Sequence, residues 1–370
     1  MGNWKTCTIA DLGMVVGGAT PSTKEAENYD GGTIAWITPK DLAGYSGRFI
    51  SHGERDITEI GLHSCSAQMM PRHSVLFSSR APIGYVAIAE NELCTNQGFK
   101  SVVPNEHTDY MFLYYLLLNN RQRIEHMGSG TTFKEVSGKT MRSIEVRVPE
   151  SKEEQIRISS ILSTIDDKIE ENERINKNLQ AQAQAIYMNT FVTNADSSWP
   201  EGKLSDLIEV CYGKDHKKLN DGDIPVYGSG GIMRYVDQAL HDQESVLVPR
   251  KGTLNNVIYV NEPFWSVDTM FFTKMKRQNV AKFVFHFLKG KDLASMNAGS
   301  AVPSMTTKIL DAIPLQIPDD QTLSSFEAQV SPFYQAVSYN NKESENLAAI
   351  RDTLLPKLMS GEIDVSGINL

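Results

Sequence analysis

The side chains best suited to directed polar contacts in this 370-residue chain lie in short loops beside glycines. In the first half they are Thr38-Pro39-Lys40-Asp41, Ser78-Ser79-Arg80-Ala81-Pro82, Thr95-Asn96-Gln97-Gly98 and Gly128-Ser129-Gly130-Thr131-Thr132. In the second they are Lys214, Tyr227-Gly228-Ser229-Gly230-Gly231, Arg250-Lys251-Gly252-Thr253 and Ser304. Arg, Lys, Asn and Gln can reach base edges, while glycine amides and hydroxyls suit phosphate oxygens. One such loop is commonly just a solvated turn; two matching sets make Thr38, Lys40, Ser79, Arg80, Asn96, Gln97, Ser129, Thr131, Lys214, Tyr227, Ser229, Arg250, Lys251, Thr253 and Ser304 candidate DNA contacts.

Bond-making chemistry finds no comparable support. Ser137-Gly138-Lys139-Thr140 ends like a phosphate-binding loop, but Phe133 stands where that loop needs its first glycine. Asn261-Glu262-Pro263-Phe264 departs at Glu262 from the Asn-Pro-Pro-aromatic turn of amino-methyltransferases. The histidines never fall at i, i+4 beside a carboxylate, and Cys7, Cys65, Cys94 and Cys211 form no C-x-x-C pair, so no metal site is expected. The acid pairs Asp166-Asp167 and Glu170-Glu171 read as a solvated helix face. The expectation is a chain with no catalytic residues and no cofactor of its own.

The elements that must hold these loops repeat. Ser74-Val75-Leu76 with Arg80 recurs as Ser245-Val246-Leu247 with Arg250 and Lys251, and Gly130, Lys139, Ile144 and Pro149 recur 169 positions later as Gly299, Lys308, Ile313 and Pro318. Each half starts with short strands and turns, carries one helix (about 109–126, then 281–288), and ends in a long amphipathic stretch. In the first stretch Ile158, Leu162, Ile165, Ile169, Asn172, Asn176, Leu179, Ala183 and Ile186 alternate at four and three. Shifted by 168, Phe326, Val330, Phe333, Val337, Asn340, Ser344, Leu347, Arg351 and Leu354 hold the same frame. Such alternation is a coiled-coil seam; the plainer alternative is two helices each packed on its own domain. Asn172 and Asn340 favour pairing, because an amide within a seam sacrifices stability and fixes register. From Ile158 to Ile186 the seam rises about 42 Å, roughly 12 base pairs of duplex.

The expected fold class is α+β: two similar domains separated by two long antiparallel coiled-coil helices, a pseudo-two-fold internal repeat. Boundaries follow at 1–150, 151–193, 194–318, 319–360 and a tail at 361–370. Net charge is −9, distributed as −2 over 1–150, −2 over 151–190, 0 over 191–318 and −5 beyond. The acidity therefore sits mostly in the carboxy-terminal segment 319–370, which leaves a locally basic face on either domain open. No apolar run reaches the roughly 20 residues of a membrane span, and a cytoplasmic protein is expected.

These motifs resemble the specificity subunits of type I restriction-modification enzymes, the HsdS family, over nearly the whole chain. The resemblance rests on Trp36-Ile37-Thr38-Pro39-Lys40-Asp41-Leu42, Leu76 to Gly84, Thr95-Asn96-Gln97-Gly98-Phe99 and Pro149 to Ile169. Further on it rests on Ile224 to Gly231, Val248 to Thr253, Trp265 to Thr269 and Leu354 to Ile363; the family often has glycine where Asn255 stands. It implies a DNA-reading subunit whose two domains each read half of a split duplex target, with the helices as a ruler for the unread spacer. It also implies methyltransferase subunits on those helices and a restriction-translocase subunit, with S-adenosylmethionine, ATP and Mg on those partners. A coiled-coil scaffold that binds no DNA is the competing reading.

Overall fold

The computed structural model describes residues 3–130, 134–296 and 304–367. It forms two compact units, one of residues 1–173 with 341–370, the other of 174–340. Thr131 and Gly299, named above, lie outside the described residues.

In the first unit a five-stranded sheet runs in the order Gly13–Gly17, Lys100–Pro104, Val75–Ser79, Ile83–Ala89, Phe49–Ile50. Val75-Leu76-Phe77 is continuously apolar because its strand is central and covered on both faces, and all three side chains are 0% exposed. A three-stranded sheet (Asp56–Ile57, Ile34–Ile37, Cys94–Thr95) holds the parallel pairs Trp36 with Cys94 and Ile37 with Thr95. Trp4–Thr8 closes on Glu145–Pro149. The helix Tyr110–His126 starts where the Asp109 carboxylate accepts the Phe112 N–H at 2.7 Å. Its Phe112, Leu113 and Tyr115 share a core with Ile158, Leu162, Leu355, Leu358 and Met359 of the two long helices.

The second unit repeats the plan. A four-stranded sheet runs Ile208–Tyr212, Met270–Met275, Ser245–Pro249, Ile258–Val260, and a three-stranded sheet runs Gly231–Val236, Ile224–Gly228, Trp265–Ser266. Val226 and Tyr227 pair in parallel with Trp265 and Ser266, as Trp36 and Ile37 do with Cys94 and Thr95. The helix Ala281–Lys289 packs Phe283 and Val284 against Ala183, Tyr187, Phe326 and Val330. The chain is thus α+β twice over.

The long helices are Lys152–Met188 and Asp320–Ser360, and they pair antiparallel. In the first unit Arg351 donates to Asp166 at 2.8 Å, and Asn172 donates to Glu343 at 2.7 Å and to Ser344 at 3.2 Å. In the second, Asn340 donates to Asn176 at 2.8 Å. Since 172 + 168 = 340 and 176 + 168 = 344, Asn172 with Ser344 and Asn340 with Asn176 are one pairing used twice.

Burial along the seam is uneven. Ile158, Leu162, Phe326 and Val330 are at most 1% exposed and Asn172 is fully buried. Ile165, Ile169, Leu179, Phe333, Val337, Asn340 and Leu347 are only half-buried. Beside Ile165 and Ile186, it is Asp166 and Tyr187 that are buried, because each helix also packs on a domain, which widens the buried stripe beyond a two-helix seam.

The acid pairs correct an expectation. Asp166 is 5% exposed; it accepts the Tyr115 hydroxyl at 2.6 Å as well as Arg351. Arg48, 4% exposed, reaches from a loop to Glu170 at 2.8 Å and to Asp167. The face is only partly solvated: Asp166 is buried where the first domain packs on it and brings its own cation and hydroxyl, while Asp167 stays exposed.

Candidate nucleic-acid interface

In the first domain the candidate loops converge on one edge of the sheets. The parallel pair continues as the Asn96 N–H donates to the Ile37 carbonyl at 2.9 Å, and Asn96 Oδ1 then accepts the Gly98 N–H at 2.8 Å. A Cβ on Gly18 would lie 2.1 Å from the Thr95 and Asn96 carbonyl oxygens, so only glycine lets that strand end pass. Ser79 donates from its backbone to Gly98 at 2.7 Å, and Val136 to the Ser79 carbonyl at 3.0 Å. Ser129 and Glu135 exchange two backbone bonds of 3.1 and 2.9 Å. Asp41 accepts the Thr38 N–H at 2.7 Å and caps the Pro39–Leu42 turn, whose Pro39 abuts Gly98.

The charged groups of this edge surround one carboxylate. Glu135 lies 3.3 Å from Lys100 and 3.7 Å from Arg80. Lys139 and Arg142 are exposed on the short helix Gly138–Arg142, and the Arg142 guanidinium and Lys100 Cδ both flank Gly138. The edge is basic although its domain carries a net negative charge. Gln97 is exposed beside Thr20, whose hydroxyl it accepts, while Lys40 pairs with Glu54 in open solvent.

The second domain builds its edge likewise. A Cβ on Gly213 would lie 2.0 Å from the Val267 carbonyl oxygen, matching Gly18. Lys214 donates from its backbone to Ser266 at 2.8 Å, and its carbonyl accepts Trp265 Nε1 at 2.9 Å. Arg250 donates from its backbone to Thr269 at 2.8 Å and lays its guanidinium 5.4 Å from the centre of the Tyr212 ring. Lys251 bridges to Ser304, and Thr253 is exposed. Gly252 takes φ +84°, and its missing side chain makes room for the Ser229 hydroxyl. Asn255 donates to Asp292 at 3.1 Å and accepts the Ala294 N–H at 2.9 Å. The residue standing in for a family glycine therefore ties this loop to 292–294, and it needs no left-handed backbone.

Two candidates are buried in this structure. Ser79 is 0% exposed, with its hydroxyl on the Gly98 carbonyl at 3.1 Å. Tyr227 is 9% exposed and packs edge-on against Phe264. Both looked like loop residues, but they end central strands and turn inward, so they position Arg80 and Ser229. Sequence reasoning missed Lys100, Glu135 and Arg142, which lie in or beside strands and short helices, and the glycines Gly18 and Gly213, whose signal is their placement just after matching strands.

Among the described residues no group of three or more His, Cys, Asp or Glu side chains could hold a metal ion. Burial pushes the Cys94 thiol up to about 12, which leaves it a packing group. No helix among those residues is long and apolar enough to cross a membrane.

Fold and edges together define a duplicated recognition protein: two α+β domains, each presenting amides, hydroxyls and cations at one edge and each seated on a segment of one helix pair. Residues 1–181 and 196–344 match the type I restriction modification DNA specificity domain. The MjaIX specificity subunit of Methanocaldococcus jannaschii is 31% identical over 98% of this chain and 94% of its own length. The EcoprrI specificity subunit of Escherichia coli is 22% identical over 81% of this chain and 80% of its own. The crystal structure of a type I restriction-modification S subunit from M. genitalium shares the fold with a TM-score of 0.64, at 20% identity over 96% of both chains. The chain belongs to the specificity subunits of type I restriction-modification systems.

Proposed function

We propose that each domain reads one half of a split duplex DNA target. The paired helices then set the length of unread DNA between the halves and seat methyltransferase subunits, and a restriction-translocase subunit joins for cleavage. The chain makes and breaks no bonds itself; S-adenosylmethionine, ATP and Mg belong to those partners, in the cytoplasm. The observation that carries this reading is the same loop edge built twice, with Gly18 and Gly213 under matching strand ends and Arg80 and Lys251 at matching positions. Cations, amides and hydroxyls in fixed loops suit a polyanion whose base edges carry the information.

The test uses the chain with its methyltransferase partner. The complex is expected to bind one bipartite duplex with affinity falling steeply as salt rises, since each neutralised phosphate releases counterions. Equal binding to any sequence, or binding indifferent to salt, would count decisively against this reading, and no binding of DNA at all would favour the scaffold.

A further inference from the structure

The two loop edges share one hydrogen-bond scheme, so they can be compared position by position. The backbone bond from Ser79 to Gly98 (2.7 Å) answers to that from Arg250 to Thr269 (2.8 Å), and the bond from Val136 to Ser79 (3.0 Å) to that from Met305 to Arg250 (2.9 Å). Ile37 faces Thr95 as Tyr227 faces Ser266. These matches align Arg80 with Lys251, Gln97 with Asp268, Lys100 with Phe271 and Glu135 with Ser304.

Some aligned groups are alike. A cation follows the central strand in both domains, and a glycine underlies both parallel pairs. Others differ in chemistry, and in the first domain they meet in space: Lys100 Nζ lies 3.5 Å from the Gln97 carbonyl oxygen and 3.3 Å from Glu135 Oε1. Groups that both domains keep cannot tell one half-site from the other, whereas groups that differ can.

The chemistry of the differing pair is specific. A carboxylate at an edge that meets DNA is repelled by phosphate and can only accept hydrogen bonds, so its base partners are exocyclic amino groups, cytosine N4 or adenine N6. Glu135 is also held for such work, its backbone pinned twice to Ser129 and its carboxylate 3.3 Å from Lys100. The Gln97 amide offers a donor and an acceptor side by side, the complement of adenine N7 and N6. Resting on the function proposed above, we infer that Gln97 and Glu135 read bases for the first domain, while Arg80 and Lys251 hold phosphates.

The experiment sequences methylated genomic DNA from a host expressing the complete methyltransferase complex with Glu135→Ser, Gln97→Asp or Arg80→Gln. It also measures binding of each complex to its duplex across a salt series. Glu135→Ser and Gln97→Asp each install the second domain's residue, and each should relax or change one base pair of a single half-site, with discrimination there falling about 10- to 100-fold. Arg80→Gln should leave the motif intact, weaken binding to all sequences alike and lower the salt slope by about one. If Glu135→Ser fails to fold, Glu135→Gln keeps its size and should still alter that base pair. An unchanged motif in the Glu135 and Gln97 variants, a motif altered by Arg80→Gln, or two identical half-sites in the unaltered protein would each overturn the inference. None of those results touches the bipartite reading, which fails only if the unaltered complex recognises no split site.

Discussion

At the residue scale, the polar groups buried between domain and helix decide stability. Asp166 accepts from Tyr115 and Arg351, so Asp166→Ala strands the buried Tyr115 hydroxyl and leaves the half-buried Arg351 guanidinium with Asp352 alone. Breaking a buried pair from one side costs on the order of 3 kcal/mol, and a clear fall in the melting temperature of the variant is expected. An unchanged melting curve would show the junction to be ornamental. In the second unit His286, 2% exposed, sits between Gln184 and Tyr334 at 2.8 Å each. Burial, with Lys289 nearby, pushes its pKa down to about 4. A histidine held neutral in the fold but titrating near 6.5 when unfolded contributes stability that is complete above about pH 6.5 and drains away as pH falls toward 4. Denaturant titrations across that window should show the decline, with a shallower slope in His286→Gln. Glu170 adds to the loss at lower pH: burial raises its pKa, but the Arg48 hydrogen bonds and charge outweigh it and hold the carboxyl below its usual range, so its contribution goes as pH falls through that lowered value.

At the element scale, the helix pair combines continuity with polar register marks. A slip of either helix by one turn would leave Asn172 without Ser344 and Asn340 without Asn176, at positions where unpaired amides are expensive. Insertion of one heptad into both helices preserves the seam and lengthens it by about 10 Å, roughly three base pairs. The methylated motif should then keep both half-sites with a spacer longer by about that amount. Unaltered spacing would remove the helices from any measuring role.

At the scale of the whole molecule, duplication makes the domains exchangeable in principle and the junctions make them particular in practice. Replacing residues 1–150 with the corresponding domain of a relative should change one half-site alone, as methylome sequencing would show; a change in both would contradict independent reading. The incoming domain needs a donor where Tyr115 stands, since Asp166 waits for one on the helix. His286 in the second unit meets a hydroxyl, Tyr334, rather than a carboxylate, so the two seats are not chemically alike.

The duplicated plan, the paired helices with Asn172 and Asn340, and most of the loop edges could be read from one-dimensional order, because repeats and the alternation of four and three survive in the spacing of residues along the chain. The inward turn of Ser79 and Tyr227, the carboxylate at Glu135 among cations, and the ties from Arg48 to Glu170 and from Arg351 to Asp166 were decided only in three dimensions. The last two join residues 122 and 185 positions apart. No periodicity records such a pairing, since it arises where a packed domain removes water from a face that would otherwise be solvated and must supply the opposite charge itself.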